Sequence, residues 1–144
     1  MYNVDKFIKF HKKKKKLCGY IVSDNENTIY HAGDTDRIPE MKQLLEKNID
    51  IAFLPIGGYF TMNPEQALEA IKDIHPETVI PMHNRLKDLG MFENTFNQEF
   101  KGTKIRCLEE GESSEIWRIF KHVFFYIIRR MDKGFDFREW KKKN

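Results

Sequence analysis

Hydrophobic positions along this chain follow two rhythms. Leu17–Val22 and Thr28–Tyr30 are short β-rich runs, and the polar stretch 23–27 between them reads as a turn, so the pair predicts a hairpin. Ile49–Leu54 and Thr78–Met82 are almost continuously apolar, as strands covered on both faces are. Helical spacing fills the intervals. Pro39 suits a first turn, Met41, Leu44 and Leu45 share a face, and Asn48 can end the helix. A second helix has a sharper start. Asn63 is a good N-cap, Pro64 fits the first helical position, and Gln66 completes a capping box. Ala67, Leu68, Ile71 and Ile74 then form one stripe, which His75-Pro76 stops. A helix around Phe92–Phe100 and a strand around Lys104–Leu108 complete the regular part. The order, a hairpin followed by α, β, α, β, α, β, predicts a layered α/β domain.

From Ser113 the pattern changes. Apolar residues nearly encircle a predicted helix over Glu115–Met131, which Arg129-Arg130 close. Docking on a core is the simpler reading of so apolar a helix; a membrane surface or a second chain are the others. The expected organisation is a domain over 1–112 and a basic, partly apolar helical tail over 113–144.

Composition narrows the picture. The chain has 144 residues, 40% apolar and 33% charged, with a mean hydropathy of −0.63. No stretch approaches the roughly 18 apolar residues of a spanning helix. Twelve Phe, five Tyr and two Trp argue for a packed core rather than disorder. The net charge of +3 conceals an asymmetry: residues 1–16 carry +6, 17–112 carry −8 and 113–144 carry +5. Lys12–Lys16 could meet phosphates, but no aromatic residue interleaves with them, so a solvated loop is the simpler reading and nucleic acid is not an expected partner. Cys18 and Cys107 have no metal or redox spacing and are expected to be buried, reduced thiols. With no secretory leader read at the start, a cytoplasmic location is expected.

Ligand sites in α/β sheets gather at the carboxyl ends of strands. Three segments end there: Tyr30-His31-Ala32-Gly33-Asp34, Leu54-Pro55-Ile56-Gly57-Gly58 and Met82-His83. An Asp and a His converging from such ends are ordinary metal ligands. Spacing alone leaves open that Asp34 is a turn residue or cap and that His83 is a satisfied polar group.

Taken together, Ile29–Met41 with its His-Ala-Gly-Asp-Thr motif, Ile49–Gly58, Phe60–Ala67 and Val79–His83 resemble the second half of the metallo-β-lactamase superfamily, in the branch of metal-dependent hydrolases related to ascorbate-phosphate lactonase. The likeness runs over residues 2–112. It implies a partial αββα sandwich, here its second half, and a site holding two divalent metal ions, zinc first and manganese second. Asp34 matches the bridging aspartate and His83 the final histidine ligand, with His31, Thr35, Gly57 and Gly58 in support. Two metal ions would activate water to cleave an ester, lactone or phosphoester of a small-molecule substrate.

The departures matter as much. The superfamily's His-x-His-x-Asp-His motif is missing: the five histidines, His11, His31, His75, His83 and His122, contain no His-x-His pair. A zinc ion held by enzyme side chains usually has three protein ligands. The expectation is therefore a C-terminal half or truncated reading, with an exposed sheet face, inactive alone or completed by an N-terminal half or a homo-oligomer. The rival expectation is a non-catalytic remnant or interaction domain that keeps the scaffold.

Overall fold

The computed structural model describes residues 18–24, 26–84 and 89–108. The chain divides into two units, Met1–Glu110 and Gly111–Asn144, and every described residue belongs to the first. The lysine tract, His11, His122 and the predicted tail helix lie outside the described residues.

Among the described residues five strands form one sheet in sequential order: β1 (Tyr20–Ser23), β2 (Thr28–His31), β3 (Ile51–Pro55), β4 (Thr78–Met82) and β5 (Lys104–Ile105). β1 and β2 pair antiparallel, as the hairpin pattern predicts, and Asp24 shapes the turn by accepting the Glu26 and Asn27 backbone N–H groups. The other neighbours pair in parallel, so β2, β3 and β4 end at the same edge. Register places His31 beside Phe53 and Phe53 beside Ile80.

Each parallel crossover carries a helix. α1 (Pro64–Ile74) begins with the predicted capping box: the Gln66 N–H donates to Asn63 Oδ1 at 2.8 Å, and the Asn63 N–H donates to Gln66 Oε1 at 3.1 Å. α2 (Leu89–Glu99) begins earlier than its apolar pattern implied, and β5 is only two residues long. The segment Pro39–Lys47 is a 3-10 helix rather than the expected α-helix. Ile38, Met41 and Leu44 recur every third residue and stack along one edge, which suits three residues per turn. Leu45, expected on the buried face, is exposed as a result. Asn48 ends the segment in the left-handed region.

One core joins the helices to one face of the sheet. Tyr30, Ala52, Leu54 and Val79 meet Met41, Leu68, Ile71, Ile74, Phe92 and Phe96 there. On the opposite face Ile29, Ile51 and Ile80 are each no more than 5% exposed. This corrects the expectation of an open face, at least at these three central positions. Both cysteines are free thiols, as expected, but the expected burial fails: Cys18 is exposed and Cys107 half-buried, because β1 starts after Cys18 and β5 ends before Cys107.

The capping box makes a direct test of how α1 is held. Asn63→Ala should cost about 1 kcal/mol in urea unfolding, whereas a loss-free variant would show that tertiary packing alone sets this helix start.

Candidate metal centre

Parallel pairing brings three loops together at the carboxyl edge. The hydrogen-bond ladder continues past the strand ends: the Ala32 N–H donates to the Phe53 carbonyl and the Ile56 N–H to the Met82 carbonyl, both at 3.0 Å. The loop after β2 thereby stays beside β3, and the loop after β3 beside His83. Across this edge His83 Nε2 lies 2.9 Å from Asp34 Oδ1, with both side chains half-exposed. The two residues singled out as ligands, 49 positions apart in the chain, thus come into direct contact.

Neighbouring backbone sets the position of each. The Met62 N–H donates to the carbonyl of Thr35, next to Asp34, at 2.8 Å. Thr35 and Asp36 are fully buried, and the Thr35 hydroxyl donates to the Asp36 carbonyl at 2.9 Å. Arg37 then fastens this segment to α1 through an ion pair with Asp73 at 2.7 Å. His83 has φ +53°, a left-handed conformation uncommon for a side-chain-bearing residue and found where structure over-determines the backbone. Gly57 is part of that constraint. A Cβ on Gly57 would stand 2.5 Å from the His83 carbonyl oxygen, so only glycine permits this approach.

His31 joins the edge from the end of β2. Its Nδ1 accepts the Gly33 N–H at 3.1 Å, and its ring stacks on Phe53 with centroids 5.8 Å apart. Partial burial, followed by the nearby His83, pushes its pKa below the ordinary imidazole value, and this outweighs its own backbone hydrogen bond and the Asp34 charge. A hollow of about 70 Å³ opens beside the pair, lined by Asp34, Gly57, Tyr59, Phe60, Thr61 and His83. Sequence reasoning missed Tyr59 and Thr61 as lining residues. The available signal was their position just after the Gly57-Gly58 turn at the end of β3.

The pattern of the β-lactamase superfamily domain matches residues 3–83, more than half of the chain. This chain belongs to the metallo-β-lactamase superfamily. Its sequence is 39% identical over 105 residues to a UPF0173 metal-dependent hydrolase of Pelotomaculum thermopropionicum, covering 69% of this chain and 46% of that one. A Bacillus thuringiensis protein of the same description is 43% identical over 98 residues, covering 67% and 43%. Among solved structures, the metallo hydrolase Igni18 of Ignicoccus hospitalis is similar with a TM-score of 0.61 at 38% identity, covering 67% of this chain and 44% of that one. The chain thus spans somewhat less than half the length of these relatives. The fold is the metallo-β-lactamase α/β arrangement, represented among the described residues by one sheet with helices on one face.

The donor set fits a divalent cation in kind: a carboxylate oxygen and an imidazole nitrogen already face one another. In number it falls short. Among the described residues no group of three or more His, Cys, Asp or Glu side chains forms a metal cage.

Two outcomes follow from this geometry. Gly57→Ala should displace His83 and cost roughly 1–3 kcal/mol, read as a lower urea midpoint with shifted His83 imidazole resonances; unchanged resonances and midpoint would contradict the close approach. His31 should titrate by NMR below its ordinary value near 6.5. The folded state then binds its proton less readily than the unfolded chain does. The stability tied to neutral His31 is accordingly complete above the unfolded value and declines as pH falls toward the folded one. A midpoint above 6.5 would contradict the assignment.

Proposed function

We propose that this chain carries part of a metal-dependent hydrolase centre, with Asp34 and His83 as metal ligands. The supporting observation is the 2.9 Å approach of Asp34 Oδ1 to His83 Nε2 at the carboxyl edge of a parallel sheet. An aspartate suits a bridging role because its two oxygens can each bind one ion. When bound, divalent metals would polarise the scissile group and lower the pKa of a water molecule, which is the chemistry needed to cleave an ester, lactone or phosphoester. Zinc is the expected ion and manganese the alternative, since oxygen and nitrogen donors accept both.

Two side chains leave the coordination incomplete, so the remaining ligands come from outside the described residues or from a second chain, whether a complementing half or another copy. Where those ligands come from a second chain, the 144-residue chain alone has little or no hydrolase activity. His31 supports the centre by holding its Nδ1 against the Gly33 N–H, which fixes the ring beside the pair. Gly57 and Thr35 act as spacers, one admitting the His83 carbonyl and the other anchoring the loop after Asp34. Two free cysteines suit a reducing compartment such as the cytoplasm.

Zinc uptake tests the reading. Titration of the purified chain should show a zinc-dependent heat that Asp34→Ala and His83→Ala each weaken by at least about tenfold, since even outer partners of metal ligands cost that much. Binding unchanged in both variants would remove the pair from any metal role and favour a scaffold kept for interaction rather than catalysis.

A further inference from the structure

The hollow beside Asp34 and His83 is small. Its volume of about 70 Å³ is below the roughly 150 Å³ of a cavity that admits a benzene ring. A carboxylate, phosphate or water can enter; a ring must stay at the mouth. Tyr59 lines that hollow and is 71% exposed. An isolated exposed aromatic residue is ordinary and carries no meaning by itself. Here, however, the ring is braced by a neighbour. It meets Phe60 edge-on, with centroids 5.0 Å apart and planes at 81°.

The backbone that carries Tyr59 is also held at both ends. The Gly58 N–H donates to the Met62 carbonyl at 2.9 Å, closing the loop around Tyr59 and Phe60, and Gly58 adopts φ +74°, which favours glycine. Before the loop, Gly57 abuts the His83 carbonyl. After it, the Met62 N–H reaches the carbonyl next to Asp34. One short loop is therefore fastened to both of the segments that bear the facing Asp and His. The backbone that carries the Tyr59 ring is thereby held beside them.

We infer that Tyr59, braced by Phe60, is a substrate-contacting residue that selects substrates with a flat ring adjoining the small anionic or carbonyl group held in the hollow. The inference rests on the reading of the Asp34–His83 edge as the reaction centre. The ring of the substrate packs on the Tyr59 face while its reacting group sits beside Asp34 and His83. Aliphatic substrates with the same reacting group lose this contact.

The test compares phenyl phosphate with methyl phosphate, titrated into the 144-residue chain by NMR, with and without zinc, and following the Tyr59 ring resonances. Phenyl phosphate should bind about three- to tenfold more tightly, the span expected of one aromatic pairing. Tyr59→Ala should abolish the preference and Tyr59→Phe retain it, in at least one of the two metal states. Zinc affinity is measured on the same variants and should not change in Tyr59→Ala. Equal binding of the two phosphates, binding of neither, or a preference that survives Tyr59→Ala overturns the inference. If zinc binding still depends on Asp34 in those cases, the metal reading stands without it. A Tyr59-dependent ring preference in a chain that binds no zinc supports the aromatic contact and shows that this chain alone does not hold the ion.

Discussion

The parallel pairing of β2, β3 and β4 is the constraint on which the rest depends. Asp34 and His83 follow different strand ends, separated in sequence by the 3-10 segment, β3, α1 and β4. Only an in-register ladder brings them within 2.9 Å. Because side chains alternate across a strand, a one-residue slip would turn the strand residues to the other face and shift the loops that carry the pair. Register is protected by the apolar residues beneath it. Tyr30, Ala52 and Val79 lie side by side on the helix face and are buried in the core, so slippage would expose them.

Packing and chemistry are linked through the loops. Each of the three loops at this edge is tied to a neighbour by backbone groups: Ala32 to Phe53, Ile56 to Met82, Met62 to Thr35. Such bonds leave side chains available for ligands while fixing where those side chains start. Gly57 shows how steric limits enter, since the approach of the His83 carbonyl requires the absence of a Cβ. His83, in turn, takes an uncommon backbone conformation. Local strain of this kind concentrates where surrounding structure serves a site.

Much of this was legible in the chain because its signals are local. The Asn63 and Gln66 capping box, the apolar stripe from Ala67 to Ile74 and the buried strand of Ile51–Pro55 each follow from neighbouring residues. The candidate ligands could be nominated because acids and histidines after apolar strands stand out, and the resemblance then singled out Asp34 and His83. What escaped was non-local or decided by small differences. The three-residue recurrence of Ile38, Met41 and Leu44 fits a 3-10 helix, but the added Leu45 imitated an α-helical face. Nothing adjacent in sequence reveals that Gly57 faces His83, and the turn before Tyr59 hints at a site without showing that Tyr59 lines the hollow next to Asp34. Ile29, Ile51 and Ile80 are buried on the second sheet face although no described helix belongs to that side, a fact the residue pattern could not supply.

On the proposed reading, one divalent ion is shared by a carboxylate and an imidazole from two strand ends. Anomalous diffraction at the zinc edge, from crystals of this chain grown with zinc, tests it most directly. A peak is expected within bonding distance of both Asp34 and His83, roughly 2.0–2.2 Å from each donor atom. A zinc peak bound elsewhere, with Asp34 and His83 still hydrogen-bonded to each other, would contradict it.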